Sequence, residues 1–488
     1  MPKQLQLDIG PDDEPDQAKE EKEVTRNEAS HEEAAQEAAT DDGAGRYRVL
    51  HTADWHLGKS LDRLSREDEH QRFLDWLLET IQEQKIDCLL VAGDIFDSPR
   101  PPQSAERMYF SFLARLHKET NCVAVITSGN HDSPRHLDAP SRALRALDVH
   151  VIGELPTDVN DCVIALPNAD APQLLIAAMP FLRDRDIRTG RLGESTDQIA
   201  KALQAGIKQS YQNALEACEA IRKQHPQAAM MAAGHLTVSG CSTKEKKLPD
   251  GELPIHIGGL GEISPETFPS DFGYVALGHI HRSQSFNKND AGLPHVAYSG
   301  SPIPLSFSEA GHQKTVQVLD FAAGKFVAQT KLAIPTCREL VQLKVTREEL
   351  EKQLKSFAPP TTELETWVEL VIETTREHES LNELVESLTS ESGYRIVKTA
   401  AQWVGENARL SENDLGLTTA ELENVLEDPR RVFSLRLDQE VDLEDGERLQ
   451  LQTAFDELLD LHTHSEQDGM PEADAPAPKM LAGKAVPS

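Results

Sequence analysis

Apolar runs and helical stripes alternate along the middle of the chain and predict an α/β fold. Phe73, Leu77 and Ile81 recur at helical spacing and indicate a helix over 66–84, and a second stripe predicts a helix over 104–118. Short apolar runs predict buried strands at 47–51, 86–92, 122–126, 149–152, 174–178, 230–233, 274–277 and 296–298.

The spacing of these runs favours parallel strands. Asp54, after the first strand, precedes Asp94 by 40 residues, and Asp94 precedes Asn130 by 36, so each interval fits one βαβ unit. Successive parallel strands bring their carboxyl ends to one edge, where ligands of open α/β sheets bind. The longer loops between the later strands suggest a second sheet that packs on the first. We therefore expect one two-sheet α/β domain, a sandwich, over 46–337.

The rest of the chain predicts a smaller α+β unit and terminal helices. Strands at 340–345, 367–372 and 394–399 alternate with helices near 347–357 and 379–389, which indicates a separate ferredoxin-like domain over 338–402. Helices are expected at 418–428 and 445–463, within a region 403–465. The second helix has an apolar stripe of Leu451, Phe455, Leu458 and Leu459. The compositions of 1–45 and 466–488 predict disordered tails.

The net charge of −33 is concentrated at the two ends of the chain. Residues 1–45 hold 14 acidic and 4 basic residues, and residues 338–488 hold 33 acidic and 15 basic residues. The predicted main domain has 35 acidic and 30 basic residues, so it is close to neutral but is not a basic DNA-binding surface. Tight binding to nucleic acid would therefore require a partner or bound metal ions.

The cysteines and the apolar runs favour a soluble protein of the reducing cytoplasm. The six cysteines are scattered without C-x-x-C spacing, which argues against a disulfide framework. No apolar run approaches the roughly 18 residues of a membrane span, and the acidic N-terminus does not resemble a signal peptide.

Five polar segments follow runs that predict buried strands, and they carry the candidate chemistry. Carboxylates, one amide oxygen and several imidazoles that converge from strand ends are suited to two divalent metal ions and to attack on a phosphate ester. The segments contain Asp54 and His56, then Asp94 and Asp97, then Asn130, His131 and Asp132, then His235, and finally His279 and His281.

The residue types suggest distinct roles within this set. Asp94 can bridge two cations because a carboxylate has two oxygens. His131 lies beside a ligand and is suited to donate a proton or to stabilise developing charge. Asp132 is a candidate to orient that ring, but Asp132 and Asp97 could equally cap helices or fix turns. His235 is the weakest candidate when it is considered alone.

Basic residues outside these segments are candidates for phosphate contacts, and a solvated surface is the alternative interpretation for each of them. The candidates are Arg183, Arg185, Arg188, Arg282, Lys244, Lys246 and Lys247. The segment 300–307, which reads Gly-Ser-Pro-Ile-Pro-Leu-Ser-Phe, is expected to pack beneath the site.

The polar motifs and their flanking phrases resemble a known family. Asp-x-His, Gly-Asp-x-x-Asp, Gly-Asn-His-Asp, Gly-His and Gly-His-x-His occur in the order that is typical of calcineurin-like metallophosphoesterases. The phrases at 51–58, 180–183, 234–237, 278–282 and 300–307 are similar to those of the SbcD-type nuclease subunits of bacterial SbcCD exonucleases. The similarity covers about residues 46–465.

The resemblance implies a ligand set and a function. The first metal would be held by Asp54, His56, Asp94 and His281, and the second by Asp94, Asn130, His235 and His279. His131 would be the catalytic histidine, and the metals would be manganese, with magnesium as an alternative. The family works as a homodimer with the SbcC ATPase, an SMC-type protein, in a heterotetramer that degrades DNA ends and cuts hairpins and single strands. Such a protein would lie in the cytoplasm with the nucleoid.

The same resemblance implies roles for the C-terminal regions. The unit at 338–402 would be a DNA-capping domain. The segment from Val432 to Leu437 and the stripe at 451–459 would dock on the coiled coil of the ATPase. The acidic extension before the first strand is not part of the family core.

Two other functions remain open on the sequence. A phosphomonoesterase or cyclic-nucleotide phosphodiesterase of the same superfamily would keep the ligands but would need no cap or docking helices. A non-catalytic scaffold that only tethers DNA ends would need no intact ligand set.

Overall fold

The computed structural model describes residues 46–188, 195–239, 263–286, 293–374 and 393–403, together with positions 385, 433, 451–452 and 454–455. The expected tails, the helix at 418–428, most of 403–465 and most of the helix at 379–389 lie outside these residues.

Seventeen strands and seven α-helices form the described fold. The strands are β1 Arg46–Thr52, β2 Ser60–Leu61, β3 Leu64–Ser65, β4 Cys88–Ala92, β5 Val123–Thr127, β6 Val149–Ile152, β7 Val163–Leu166, β8 Leu174–Ala178, β9 Ala229–His235, β10 Tyr274–Gly278, β11 Gln284–Phe286, β12 His295–Tyr298, β13 Thr315–Ala322, β14 Lys325–Ala333, β15 Leu340–Thr346, β16 Thr366–Thr374 and β17 Tyr394–Trp403. The helices are α1 Glu67–Glu83, α2 Gln103–Glu119, α3 Pro134–Asp138, α4 Ser141–Leu144, α5 Asp184–Ile187, α6 Thr196–Arg222 and α7 Leu350–Ser356.

Each strand expected in the main domain is present, with ends that differ by at most two residues from the prediction. The long helix α6 and the strands β7, β11, β13 and β14 were not predicted.

Two six-stranded sheets form the sandwich. The first has the order β14-β13-β1-β4-β5-β6 and the second the order β11-β12-β10-β9-β8-β7. In the first sheet, β1, β4, β5 and β6 are parallel, and β13 and β14 are added in antiparallel pairing. In the second sheet, β8, β9, β10 and β12 are parallel and the two edge strands are antiparallel. The expectation of a second sheet is therefore confirmed.

The core lies between the sheets and beneath the helices. One apolar cluster joins Val49, Leu90 and Val125 of the first sheet to the strands of the second sheet and to α6. A second cluster packs the opposite face of the first sheet against α1 and α2, with Phe73 and Leu113 among its members. Because parallel strands are covered on both faces, they read as continuous apolar runs. Among the described residues, no helix has the length and apolarity that a membrane span needs.

A separate three-stranded sheet, β15-β16-β17, follows the sandwich. β15 and β16 are parallel, and α7 packs on the sheet through Leu350 and Leu354. The other end of this sheet contacts the sandwich, where Leu340 and Trp367 pack with Phe307 and the β2–β3 hairpin.

A buried charged cluster joins this small sheet to α1. The Oε1 atom of Glu69 accepts hydrogen bonds from Arg66, at 2.6 Å, and from Arg338, at 2.8 Å. The guanidinium of Arg338 lies 4.1 Å from the ring centroid of Trp367, and that of Arg66 lies 5.5 Å from it. Arg66 also donates to the carbonyl of Pro304. Glu69 therefore compensates two arginines at a point where three segments meet.

We expect Glu69→Ala to lower the free energy of unfolding by about 3–5 kcal/mol, because it leaves two buried arginines without their anion. Chemical denaturation measures this loss. Glu67→Ala is the control, since Glu67 is exposed in the same first turn. Equal stability of the two variants would contradict the structural role of the cluster.

Candidate metal centre

The expected metal ligands follow the carboxyl ends of parallel strands from both sheets. Asp54 and His56 follow β1, Asp94 follows β4, and Asn130 follows β5 of the first sheet. His235 ends β9 of the second sheet, and His279 and His281 follow its strand β10. The two sheets therefore deliver their polar ends to one edge of the sandwich.

The backbone around the first three ligands is unusual. Asp54, His56 and Asp94 have positive φ angles of 54°, 47° and 51°. The amide of Asp54 donates to the carbonyl of Gly93, and that of His56 to the carbonyl of Asp94, both at 3.0 Å. Residues with side chains rarely adopt this conformation unless the surrounding structure holds them in it. The two loops hold each other and aim their side chains at the site.

Glycines let the two sheets approach closely at this edge. A Cβ at Gly93, where φ is 85°, would lie 2.2 Å from Nδ1 of His235. A Cβ at Gly278 would lie 2.0 Å from the carbonyl oxygen of Ala92. Neither distance is physically possible, so both positions require glycine if His235 is to reach the first sheet.

The first ligand group is formed by Asp54, His56 and His281, whose candidate ligand atoms lie within 4.8 Å of one another. Asp54 is fully buried and His56 is 2% exposed. Nevertheless, Oδ2 of Asp54 and Nε2 of His56 have no hydrogen-bond partner among the described residues. Buried polar atoms are nearly always paired, so these two atoms fit a cation that lies between them.

The second ligand group surrounds the amide oxygen of Asn130. Oδ1 of Asn130 lies 2.9 Å from Nε2 of His235 and 3.0 Å from Nδ1 of His279. His235 also directs Nδ1 to the carbonyl oxygen of Ala92 at 3.0 Å, which leaves Nε2 for the site. His235, the weakest candidate on sequence, thus lies beside both Asn130 and Asp94.

Asp94 lies between the two groups. Its Oδ2 atom is 3.5 Å from Nε2 of His56 and 3.3 Å from Nε2 of His235. Its Oδ1 atom accepts from the amide of His131 at 2.9 Å, which fixes the carboxylate in place. This is the position that a bridging carboxylate would need.

The charges of the site depend on one another. Burial lowers the pKa of His235, but Asp94 and Asp54 outweigh burial and raise it to about 9. Burial raises the pKa of Asp94, but His235 and His56 bring it well below its usual range. Burial also lowers the pKa of His279, to about 3. A proton on His235 compensates the carboxylates here, and a metal ion would replace that proton, since ligand histidines bind in the neutral form.

His131 lies at the partly exposed rim of the site, with its ring centroid 4.8 Å from that of His56. Its Nδ1 atom lies 2.9 Å from the carbonyl oxygen of Asp97. The expectation that Asp132 orients this ring is wrong. The carboxylate of Asp132 accepts instead from the amides of Ile95, Phe96 and Gly129. Asp132 therefore fixes the turns, which was the alternative interpretation.

Two side chains outside the expected ligand set bind the far nitrogen of a ligand histidine. Oδ1 of Asp97 lies 3.2 Å from Nδ1 of His56, and Oε1 of Glu309 lies 3.3 Å from Nδ1 of His281. Such partners set the tautomer and orientation of a metal-binding imidazole. Asp97 was expected only in a motif or as a cap, and Glu309 was not predicted at all. No local pattern marks Glu309, which follows the segment 300–307 by two residues.

The basic residues that were candidates for phosphate contacts have different surroundings in the structure. Arg185 lies at the surface 3.6 Å from Glu154 and from Asp186, and the partly buried Arg188 pairs with Asp184, so both already have carboxylate partners. The amide of Arg183 donates to Asp186 at the start of α5. Arg282 is exposed next to His281 and lines a cavity beside the site. Lys244, Lys246 and Lys247 lie outside the described residues.

Comparison with known proteins agrees with this geometry. Residues 47–180 match the family model of the calcineurin-like phosphoesterases. The SbcD subunit of the SbcCD nuclease of Escherichia coli is 36% identical over 347 residues, which cover 70% of this chain and 82% of that protein. Its counterpart in Rhodobacter capsulatus is 39% identical, over 57% of this chain and 67% of that one, and the one in Bacillus subtilis is 31% identical, over 67% and 78%.

The fold and the site together define a metallophosphoesterase of the calcineurin-like class, and therefore a metal-dependent phosphodiester hydrolase. Within that class, the chain belongs to the SbcD family of nuclease subunits.

We expect Asp94→Asn to abolish high-affinity binding at both metal positions, because the amide loses the charge that both groups share. Isothermal titration with Mn²⁺ measures the number of sites and their affinity. Asp87→Asn is the control, since Asp87 precedes the same strand and its carboxylate accepts only from the amide of Arg48 among the contacts described. Two sites of unchanged affinity in Asp94→Asn would contradict the bridging position.

Proposed function

We propose that this chain is the DNA-cleaving subunit of a complex with an SMC-type ATPase similar to SbcC. The observation that carries the proposal is the clustered set of two carboxylates, one amide and four imidazoles in a chain of the SbcD family. The relatives that it matches are named as SbcD subunits of the SbcCD nuclease. We infer ATP-dependent exonuclease action on duplex ends and endonuclease action on single strands and hairpins, in DNA repair, recombination and replication.

The proposed ligand sets follow the two groups. Asp54, His56, Asp94 and His281 would hold one divalent cation, and Asp94, Asn130, His235 and His279 would hold the other, with manganese as the expected metal. When bound, two such cations lower the pKa of a water molecule and neutralise charge on the scissile phosphate. The orphaned atoms of Asp54 and His56 support this assignment.

The proposed acid is His131. The carbonyl of Asp97 accepts from its Nδ1–H, so Nε2 is the nitrogen that would deliver a proton to the departing sugar oxygen. The backbone amide of His131 donates a hydrogen bond to Asp94, so the position of the acid is linked to the ligand that would bridge the cations. The carboxylate of Asp132 accepts hydrogen bonds from the amides of Phe96 and Gly129 and so holds the turn that carries both Asn130 and His131.

Substrate access and partner binding are proposed for the C-terminal regions. The sheet β15-β16-β17 contacts the sandwich through Phe307, close to the site, which supports a DNA-capping role. Further along the chain, the rings of Phe433 and Phe455 stack with centroids 4.0 Å apart, and Leu451 is 42% exposed. These apolar side chains support a docking site for the ATPase. We also propose that two copies of this chain form a homodimer within a heterotetramer in the cytoplasm, with the nucleoid.

We expect His131→Asn to lower the rate of cleavage by about 10²–10⁴-fold, because it removes the proposed acid but no member of the two proposed ligand sets. Mn²⁺ affinity should remain close to that of the unmodified chain. His136→Asn is the matched control, since His136 is also partly exposed and pairs with Glu106 instead. Loss of metal together with activity in His131→Asn would contradict its role as an acid.

The substrate class is tested by comparing Mn²⁺-dependent turnover of linear duplex DNA with that of small phosphate mono- and diesters. DNA should be preferred, and the preference should increase with ATP and a co-expressed SMC-type ATPase. Turnover of small esters alone would favour a small-molecule phosphoesterase. No cleavage of any substrate, with both metal sites filled and the partner present, would favour a scaffold.

A further inference from the structure

The strongest feature that the proposed mechanism does not use is the buried carboxylate of Glu309. It lies at the end of a 3₁₀ turn over Phe307–Glu309 and is 3% exposed. Its Oε1 atom faces Nδ1 of His281 at 3.3 Å. His281 is the only ligand of the first metal group that comes from the second sheet among the described residues. Its position therefore depends on contacts other than those that hold the β1 and β4 loops.

The second oxygen of Glu309 is surrounded by donors. Oε2 accepts from the hydroxyl of Ser301 at 3.3 Å, from the amide of Leu305 at 3.2 Å and from the ammonium of Lys314. Lys314 is 9% exposed, so the ion pair is almost fully buried. A buried carboxylate with this many donors has one fixed orientation.

The same groups also hold the backbone of His281. Its carbonyl oxygen accepts from the amide of Ser301 at 3.1 Å and from Nζ of Lys314 at 3.2 Å. The ring and the main chain of this ligand are therefore bound to one network. A buried ion pair adds little to stability compared with apolar residues, so its presence here calls for another purpose.

We propose that Glu309 is a positioning residue for the metal ligand His281. Its carboxylate accepts from Nδ1–H and so fixes the tautomer in which Nε2 carries the lone pair. That nitrogen is then directed to Asp54 and His56, with which His281 forms the first group. The inference rests on the metal chemistry of the proposed function, but not on DNA as the substrate.

An amide at this position cannot do the same. If its oxygen accepts from His281, its NH₂ group meets the donors of Ser301, Leu305 and Lys314. If it is turned around, the NH₂ group donates to Nδ1, and the proton of the neutral ring moves to Nε2, which can then no longer bind a metal ion. The site therefore requires a carboxylate rather than a side chain of the same shape.

The turn that carries Glu309 is also held from outside. Phe307, two residues earlier, packs with Leu340 and Trp367 of the β15-β16-β17 sheet. Arg66 donates to the carbonyl of Pro304 at 2.9 Å. One short segment, 304–309, thus contacts both the β15-β16-β17 sheet and the ring of His281.

The test compares Glu309→Gln with His281→Ala and with the control Asp320→Asn. Asp320, on β13, is also a buried carboxylate, and it accepts hydrogen bonds from the side chains of Arg46 and Arg48 on β1. Titration of the full chain with Mn²⁺ should show that Glu309→Gln weakens one of two sites by roughly 10–100-fold, the usual loss when such a partner of a metal ligand is removed. His281→Ala should weaken the same site, and Asp320→Asn neither.

Hydrolysis of a small phosphodiester provides a second readout. The activity lost in Glu309→Gln should be regained at high Mn²⁺ concentration, whereas that lost in His131→Asn should not. Thermal unfolding without metal measures the purely structural cost. A folded Glu309→Gln chain with two sites of unchanged affinity overturns the proposal, even if its melting temperature falls.

Two further arms keep the test decisive. If Glu309→Gln does not fold, Glu309→Asp replaces it, since it keeps the charge beside Lys314 but withdraws the carboxylate from Nδ1 of His281. Unchanged affinity at both sites would again overturn the proposal. If the unmodified chain binds two metals but cleaves no DNA even with ATP and the partner ATPase present, the proposed function fails, while weakened binding in Glu309→Gln still supports the positioning role.

Discussion

The structure depends on the meeting of two sheets at a single buried, charged edge. Parallel strands from each sheet end there, and the carboxylate of Asp94 lies between imidazoles that come from opposite sheets. Burial of so many ionisable groups is costly unless opposite charges compensate one another. The left-handed conformations of Asp54, His56 and Asp94 and the close approach at Gly93 and Gly278 all serve this convergence. A pair of divalent cations would add to the compensation between these carboxylates and imidazoles.

The support of the site extends outward in layers. The ligand histidines face the centre with one nitrogen and bind a carboxylate or carbonyl with the other, as His56, His281 and His235 do. Beyond them, the turn that carries Glu309 contacts the β15-β16-β17 sheet through Phe307. The charged cluster around Glu69 binds the same sheet to α1. The metal centre and the expected DNA-capping unit are therefore connected by direct side-chain contacts.

The distribution of charge explains how an acidic chain can act on a polyanion. The sandwich is nearly neutral, and the excess of acidic residues belongs to the N-terminal 45 residues and to the region after 337. Arg185 and Arg188, two of the arginines considered for phosphate contacts, are already paired with carboxylates. The positive charge that a phosphate meets would then come from the cations of the site and from the partner protein.

The sequence by itself predicted the strands of the sandwich and the polar residues that the structure brings together at its edge. Continuous apolar runs mark buried parallel strands, and polar residues directly after them mark strand ends, because both signals are local. The same signals missed the antiparallel strands β13 and β14 and the helix α6. They also could not assign Asp132, whose carboxylate accepts from backbone amides 36 and 37 residues away. Only the tertiary structure placed Asp97 beside His56, Glu309 beside His281, and His235 beside Asn130 and Asp94. Those placements come from contacts between distant segments, which no local pattern of residues can encode.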